Sequence, residues 1–314
     1  MKIIDYHEVS KLLPMNECVE LMREALGKLA RKESVQYLRT VIRLPEDNIL
    51  GLMPAYYDGK YFGAKIITIF HKNTGGDFPS HQGSVLLYDS TNGAPLAMVD
   101  GDSITRIRTG AVSAVATDLL ALKKAETAAF IGAGAQARSH LEALMTVRPI
   151  KSAAVYDIQE EYALRFAEEA RKKYGIAVRA VKSPSEAAWQ ADVINTVSPS
   201  PVPVLSLKDI KKGAHINAVG ASTPTARELA SDLAAAGVFW CDNIEAVLAE
   251  AGDFLIPKAE GLFDNSHIAG EIGELLMGAK GPGRKSDDDI TIFEALGLGV
   301  EDVASAKFIY EKTL

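Results

Sequence analysis

The chain has 314 residues, 47% apolar and 24% charged, a composition typical of a folded protein with about two domains. Its formal net charge of −7 is spread along the sequence, which argues against nucleic acid or an anionic membrane as a partner. The N-terminus predicts no signal peptide, and no apolar run reaches membrane-spanning length. The cysteines, Cys18 and Cys241, form no CxxC pattern, so we expect a cytoplasmic protein without disulfides, and no metal site is predicted.

The first part of the chain predicts a helix followed by an antiparallel sheet. The helical pattern covers Met15–Lys28, and β-rich runs separated by turn residues follow over residues 35–100. The predicted strands are Leu38–Leu44, Ile49–Met53, Ala64–Phe70, Gly83–Tyr88 and Pro95–Val99. The predicted turns are Asp58-Gly59, Gly75-Gly76 and Asn92-Gly93. Short glycine turns of this kind are typical of hairpins.

A predicted helix over Arg108–Leu122, with the polar residues 123–126 after it, forms the expected linker to the next domain. Arg108, Thr109 and Gly110 fall where this helix is expected to begin. The unpaired N–H groups of a helix start can bind a phosphate or a carboxylate.

From about residue 125 to residue 250, apolar strands alternate with amphipathic helices. The predicted strands are Ala128–Ile131, Ala153–Tyr156, Ala177–Ala180, Val193–Val197, His215–Val219 and Val238–Cys241. The predicted helices are Gln136–Leu144, Gln159–Lys173, Pro184–Ala188 and Arg227–Ala235. This alternation predicts an α/β fold with a doubly wound parallel sheet of the Rossmann type. A last helical pattern, Glu301–Lys312, is expected to return to the N-terminal domain.

The segment TAAFIGAGAQARSH, residues 127–140, has the features of a dinucleotide-binding turn. Gly132 permits a tight turn after the strand, and Gly134 leaves room for a pyrophosphate beside the backbone. Ala137 allows the helix to pack closely on the sheet, and the helix N-terminus attracts the phosphates. Asp157, at the end of the next strand, is spaced to accept hydrogen bonds from the adenosine ribose.

The same acid predicts which nicotinamide cofactor binds. A carboxylate at Asp157 would repel the 2′-phosphate of NADP, so NAD is expected and NADP is disfavoured. Asp157 has a second possible role as the N-cap of the helix that follows it.

Four basic residues before this region are candidates for substrate binding: Arg39, Lys65, His81 and Arg108. Lys65 interrupts the apolar run YFGAKIITIF, and a lysine is rarely buried without a partner. In a cleft such a lysine could bind a carboxylate or, with a lowered pKa, transfer a proton. For each residue alone, an ordinary exposed or snorkelling side chain is an equally good interpretation.

Seven segments together resemble the ornithine cyclodeaminase/mu-crystallin family. They are MPAY at 53–56, GAK at 63–65, PSHQ at 79–82, RTGAVSA at 108–114, GAGAQA at 132–137, HINAVGAS at 215–222 and REL at 227–229. The resemblance runs along essentially the whole chain. It implies a substrate-binding and dimerisation domain of residues 1–122 and 291–314, with an NAD-binding Rossmann domain of residues 123–290 inserted. It also implies a homodimer that acts on L-amino acids or their cyclic imines.

The resemblance also implies roles for individual residues. Arg39, Lys65 and Arg108 correspond to the substrate-carboxylate and catalytic cluster. Thr109 and the turn Gly132, Gly134, Gln136 and Ala137 correspond to the diphosphate ligands. Val219 and Gly220 correspond to the wall beside the nicotinamide.

One departure from the family pattern favours a particular reaction. Cyclodeaminases and alanine dehydrogenases of the family have Asp in the block VGxD, where this chain has Ser222. A serine is poorly suited to hold and deprotonate a distal ammonium group, so we expect a ketimine reductase that acts on Δ1-pyrroline-2-carboxylate or Δ1-piperideine-2-carboxylate. Ser222 or His81 would help relay the proton. Ornithine cyclodeaminase, L-alanine dehydrogenase and a ligand-binding crystallin with little turnover remain alternatives.

Overall fold

The computed structural model describes residues 1–73 and 76–314, and the chain divides into two compact units. Unit 1 comprises residues 1–108 and 297–314, and unit 2 comprises residues 109–296. Gly75 of the predicted Gly75-Gly76 turn lies outside the described residues. Within the described ranges, no helix combines the length and the apolar character that crossing a membrane requires.

The N-terminal segment forms a sheet of mostly antiparallel strands with helices before and after it. The strands are β1 Lys2–Ile4, β2 Val35–Gln36, β3 Thr40–Arg43, β4 Ile49–Tyr57, β5 Tyr61–Ile69, β6 His81–Asp89 and β7 Pro95–Asp100. The helices are α1 Tyr6–Leu12, α2 Met15–Ala30 and α3 Gly101–Leu120. The sheet order in the described residues is β1-β7-β6-β5-β4-β2, with β3 also paired to β4 and with β1 parallel to β7. The predicted antiparallel sheet is therefore confirmed.

Unit 2 is built on a parallel sheet. Its strands are β8 Thr127–Ile131, β9 Ser152–Tyr156, β10 Ala177–Ala180, β11 Val193–Thr196, β12 His215–Ala218, β13 Val238–Cys241, β14 Ile268–Glu271 and β15 Thr291–Glu294. Its helices are α4 Ala135–Val147, α5 Glu160–Tyr174, α6 Pro184–Ala188, α7 Ser231–Ala236, α8 Ile244–Glu250, α9 Gly252–Ala259 and α10 Ile272–Leu276. Among the described strands the order is β10-β9-β8-β11-β12-β15-β13-β14, all parallel. The strand order reverses between β8 and β11. Doubly wound sheets bind ligands at a reversal of this kind.

The last helix, α11 (Gly299–Glu311), belongs to unit 1, as predicted. It packs on α2 and on β4, β5 and β6. Residues 299–306 of α11 are buried on every side, including two acids. This helix therefore brings charge into the apolar interior of unit 1.

The predicted domain boundaries at 122/123 and 290/291 move to 108/109 and 296/297. At the second boundary, β15 is paired between β12 and β13, so residues 291–296 lie in the parallel sheet of unit 2. At the first boundary, Gly110 of α3 lies against Ser139 of α4, where an added Cβ would be 2.5 Å from Ser139 Oγ. The second half of α3 therefore packs within unit 2.

The predicted helix start at Arg108, Thr109 and Gly110 is wrong. Helix α3 begins at Gly101, and Asp100 Oδ1 accepts hydrogen bonds from Ser103 N at 2.8 Å and Ser103 Oγ at 2.5 Å. The first of these bonds satisfies a backbone N–H group that has no partner within the helix at its start. Thr109 and Gly110 lie in mid-helix, so their N–H groups are not an anion site. The predicted helix Arg227–Ala235 also begins later, at Ser231.

Candidate active site

Lys65 is the most buried cation of the predicted substrate group. Side chains along β5 alternate between two faces of the sheet, and Lys65 points to the face covered by α11. The residue is 2% exposed, and its Nζ lies 2.8 Å from Asp302 Oδ2 of α11. Nζ also donates to Thr105 Oγ1 of α3 at 3.3 Å. The prediction that a lysine at this position needs a partner is confirmed.

Arg108 reaches the same two acids of α11 from α3. Its Nε donates to Asp302 Oδ1 at 3.0 Å, and its Nη1 donates to Glu301 Oε2 at 2.9 Å. Arg108 is 4% exposed, and Glu301 and Asp302 are both 0% exposed. Asp302 therefore bridges Lys65 and Arg108, one carboxylate oxygen to each. We name these four residues, Lys65, Arg108, Glu301 and Asp302, the charge cluster.

Arg39 joins this region through the backbone of Gly297. Its Nη2 donates to Gly297 O at 3.4 Å, and it is half-buried. Gly297 has φ 77°, and a Cβ there would lie 2.6 Å from Arg108 Nη1. A side chain at position 297 would therefore collide with Arg108. The structure thus gathers the three predicted residues Arg39, Lys65 and Arg108 within unit 1.

Burial controls the ionisation of Lys65. Removal of the ammonium group from water lowers the pKa of Lys65 to about 8, and the Asp302 carboxylate opposes this effect by attracting the charge. Arg108 and Arg39 add repulsion that lowers the pKa further. An ammonium group with a pKa near neutrality can both hold and release a proton under physiological conditions.

The glycine turn between β8 and α4 has the form that a dinucleotide requires. Gly132 has φ 102°, and a Cβ there would lie 2.8 Å from Val197 O, so the position admits only glycine. Gly134 is the exposed N-cap of α4, and an added Cβ would meet nothing within 4 Å. Ala137 is fully buried in the core of unit 2, and Gln136 precedes it in the first turn of α4. These residues fit the predicted diphosphate site.

Asp157 follows β9 and connects this strand end to the glycine turn. Its Oδ2 accepts a hydrogen bond from Ala133 N at 2.8 Å, and its Oδ1 accepts one from Gln159 N at 2.9 Å. Gln159, not Asp157, is the N-cap of α5. A carboxylate has about four acceptor positions, so Asp157 retains capacity for the ribose hydroxyls that it is predicted to bind.

Glu228 is a further candidate for a functional residue, and it was not among the site residues predicted from the sequence. It is fully buried and accepts from Ser198 N at 2.9 Å, Ser198 Oγ at 2.6 Å and Gly220 N at 2.8 Å. Burial raises the pKa of Glu228 to about 7, although these hydrogen bonds act to lower it. Glu228 therefore connects the loop after β11 with the loop after β12 by hydrogen bonds. The second of these loops contains Val219, Gly220 and Ser222, which were predicted to be site residues.

The remaining predicted residues are more dispersed. Thr109 is buried in the middle of α3, and Ser222 is half-buried in unit 2. His81 begins β6, is exposed, and has its Nδ1 3.0 Å from Ser80 Oγ. With Ile66 and Leu86, it lines a groove of about 620 Å³ in unit 1. The roles of these three residues stay predictions.

Glu301 and Asp302 were also not among the site residues predicted from the sequence. Two acids in the first turn of a helix are commonly explained by the helix dipole. The apolar residues around them in GLGVEDVASA could have indicated that these acids are buried. Buried acids require cationic partners.

One unit contains a doubly wound parallel sheet with this glycine turn, and the other contains a buried lysine–arginine–carboxylate cluster. These features define a two-unit protein of the dinucleotide-binding class. The model of the ornithine cyclodeaminase/mu-crystallin family matches residues 2–314, and the chain belongs to this family.

Full-length relatives support this assignment. A Δ1-pyrroline-2-carboxylate reductase from Bacillus cereus is 38% identical over 317 residues, which span 100% of this chain and 97% of that protein. The structure of the Thermococcus litoralis Δ1-pyrroline-2-carboxylate reductase in complex with NADH and L-proline has a TM-score of 0.96 and 38% identity, with 100% of this chain and 97% of that chain covered. An archaeal alanine dehydrogenase dimer with bound NAD has a TM-score of 0.95 and 31% identity, with 100% and 96% covered.

Proposed function

We propose that the protein is an NADH-dependent reductase of cyclic α-imino acids, Δ1-pyrroline-2-carboxylate or Δ1-piperideine-2-carboxylate, and that it forms the corresponding L-amino acids. The observation that carries this proposal is that the buried Lys65 lies in the same charge cluster as Arg108. The chain also has a dinucleotide-binding glycine turn, which Asp157 contacts from the end of the next strand. The full-length similarity to reductases with this substrate, one of them in complex with NADH and L-proline, supports it.

The substrate carboxylate would bind to Arg39 and Arg108. Guanidinium groups present planar pairs of donors that match a carboxylate. Arg108 already donates one hydrogen bond to each of two carboxylates, from Nε to Asp302 and from Nη1 to Glu301. Binding in this way leaves the C=N group of a small ring beside Lys65. Residues 1–108 and 297–314 would then form the substrate and dimerisation unit, and residues 109–296 the NAD-binding unit.

Reduction of the C=N bond adds a hydride to the carbon and a proton to the nitrogen. Gly132, Gly134, Gln136, Ala137 and Asp157 would hold NADH, which when bound would supply the hydride. Lys65 Nζ supplies the proton and is left as a neutral amine, which then regains a proton from water. Arg39 and Arg108 keep the ring oriented during the transfer, and this fixed charge arrangement needs no reorganisation.

Activity is expected to fall as the pH rises through about 8, because the pKa of Lys65 lies at about 8 and only the protonated amine can donate. The measurement is kcat/KM for the cyclic imine between pH 6 and 10 at saturating NADH. A profile that stays level to pH 10 would remove Lys65 as the proton donor.

The test of the function is a side-by-side assay with five- and six-membered cyclic imino acids, each with NADH and with NADPH. Rapid NADH oxidation with either imine supports the proposal. The similarity to an alanine dehydrogenase makes pyruvate plus ammonia a necessary second arm, and faster turnover there would favour alanine dehydrogenase. Release of ammonia from ornithine with catalytic NAD would favour the cyclodeaminase. Tight imine binding without any NADH oxidation would favour a binding protein.

We further propose that the protein is a cytoplasmic homodimer. The face of the unit 1 sheet that does not pack on α11 carries half-exposed apolar residues, among them Ile66, Leu86 and Met98. An apolar surface of this kind is typical of a protein interface, and the alanine dehydrogenase neighbour is a dimer. Both cysteines are free and buried, as suits a reducing compartment.

Leu86→Glu is expected to convert a dimer to a monomer, because it places a charge in the centre of this apolar face. Light scattering after size-exclusion chromatography gives the mass of each variant. Lys151→Glu, an exposed residue of unit 2, is the matched control and should keep the mass of the unchanged protein. An unchanged mass for a folded Leu86→Glu variant would place the interface elsewhere.

A further inference from the structure

The charge cluster is asymmetric in its two acids. Asp302 contacts both cations, since its Oδ1 accepts from Arg108 Nε at 3.0 Å and its Oδ2 lies 2.8 Å from Lys65 Nζ. Glu301 accepts from Arg108 Nη1 at 2.9 Å and from Leu298 N at 3.2 Å, at the start of its own helix. These neighbouring acids of equal burial therefore share Arg108, whereas Lys65 contacts Asp302.

A lysine side chain needs such a partner more than an arginine does. The ammonium group is a point charge on a flexible four-carbon stem, whereas the guanidinium group is planar and rigid. Lys65 lies on β5 and Arg108 on α3, so their separation is not fixed by a common element. A carboxylate that binds both side chains ties them together across the interior of unit 1.

We propose that Asp302 is a positioning residue that holds the Lys65 ammonium group and the Arg108 guanidinium group at a fixed distance from each other. The inference rests on the proposed function, in which Lys65 protonates the imine and Arg108 binds the carboxylate of the same substrate. Both groups must fit one small ring, so a shift of either is expected to impair transfer more than binding.

The position of Asp302 also has an electrostatic consequence. The groups that face Lys65 are Asp302 of α11, Arg108 and Thr105 of α3, and Arg39 before β3. Glu301 and the Cys18 thiol of α2 interact with Arg108, and burial raises the pKa of that thiol, which keeps it neutral. Asp302 is the acid that raises the pKa of Lys65 against the effect of burial. Its neutralisation should therefore lower that pKa.

The experiment compares Asp302→Asn with Glu301→Gln, which removes the neighbouring charge but leaves the carboxylate beside Lys65. Profiles of kcat and kcat/KM are measured for the five-membered cyclic imine from pH 6 to 10, together with NADH binding by fluorescence. For Asp302→Asn we expect kcat to fall about 100-fold and the alkaline limb to move down by about one pH unit or more. Glu301→Gln should affect substrate KM through Arg108 and leave the alkaline limb in place.

Asp302→Glu separates position from charge and covers the case in which Asp302→Asn fails to fold. It keeps the charge but moves the oxygens by one methylene group, so kcat should fall while the alkaline limb stays near its original pH. A folded Asp302→Glu variant with unchanged kcat would overturn the inference, as would an Asp302→Asn variant with the original kcat and limb. If the unchanged protein reduces no cyclic imine, the proposed function fails first, and the role of Asp302 fails with it.

Discussion

Lys65→Ala is expected to lower kcat for imine reduction by about a thousandfold, within the range typical for loss of a general acid. NADH binding should stay within about twofold, because the dinucleotide turn belongs to the other unit. Stopped-flow turnover and NADH fluorescence titration measure the two quantities separately. Near-normal turnover in this variant would remove Lys65 from the mechanism.

The same substitution affects stability, and this must be separated from catalysis. Without Lys65, one oxygen of the buried Asp302 carboxylate loses its cation, and breaking a buried ion pair in this way costs about 3–5 kcal/mol of unfolding free energy. The double variant Lys65→Ala/Asp302→Asn removes both charges and should recover much of that loss without recovering turnover. Lys65→Arg keeps a cation that does not lose its proton, so any activity that it retains should show no decline near pH 8.

The second large effect concerns the choice of cofactor. Asp157→Ser combined with Ile158→Arg is expected to lower kcat/KM for NADH by about tenfold to a hundredfold and to raise it for NADPH. The added guanidinium group would attract the 2′-phosphate, and Ile158, 88% exposed, is free to be replaced without loss of packing. Steady-state kinetics with both cofactors measure the change.

Asp157→Asn is the matched control for charge. It retains an acceptor for Ala133 N or Gln159 N, so the glycine turn should stay folded while the repulsion of a 2′-phosphate is removed. We expect NADPH use to rise modestly in this variant. A preference of the unchanged protein for NADPH would contradict the role given to Asp157.

Local patterns were sufficient to predict the dinucleotide turn. Gly132, Gly134 and Asp157 lie within a single βαβ unit, and the turn geometry restricts which residues are allowed at each position. The alternation of strands and helices likewise predicted most of the parallel sheet. It missed β14 and β15, which lie beyond residue 250, where the predicted alternation ends.

The charge cluster could be predicted only in part. The sequence indicates that Lys65 needs a partner, but Asp302 lies near the other end of the chain, and only the packing of α11 on β5 brings them together. RTGAVSA was interpreted as a helix start. In the structure, Gly110 and Ser113 instead lie where α3 packs on α4, with Gly110 against Ser139 and Ser113 hydrogen-bonded to His140. A motif can therefore mark a family correctly while some of its residues have structural roles.

The most direct test of the account is the fate of a deuterium label. NADH deuterated at the transferable position of the nicotinamide is incubated with Δ1-pyrroline-2-carboxylate, and the proline is analysed by mass spectrometry and NMR. The account predicts L-proline with one deuterium on Cα, and NAD formed in equal amount. Proline without deuterium on Cα, or no proline while ornithine releases ammonia in the presence of NAD, would contradict it.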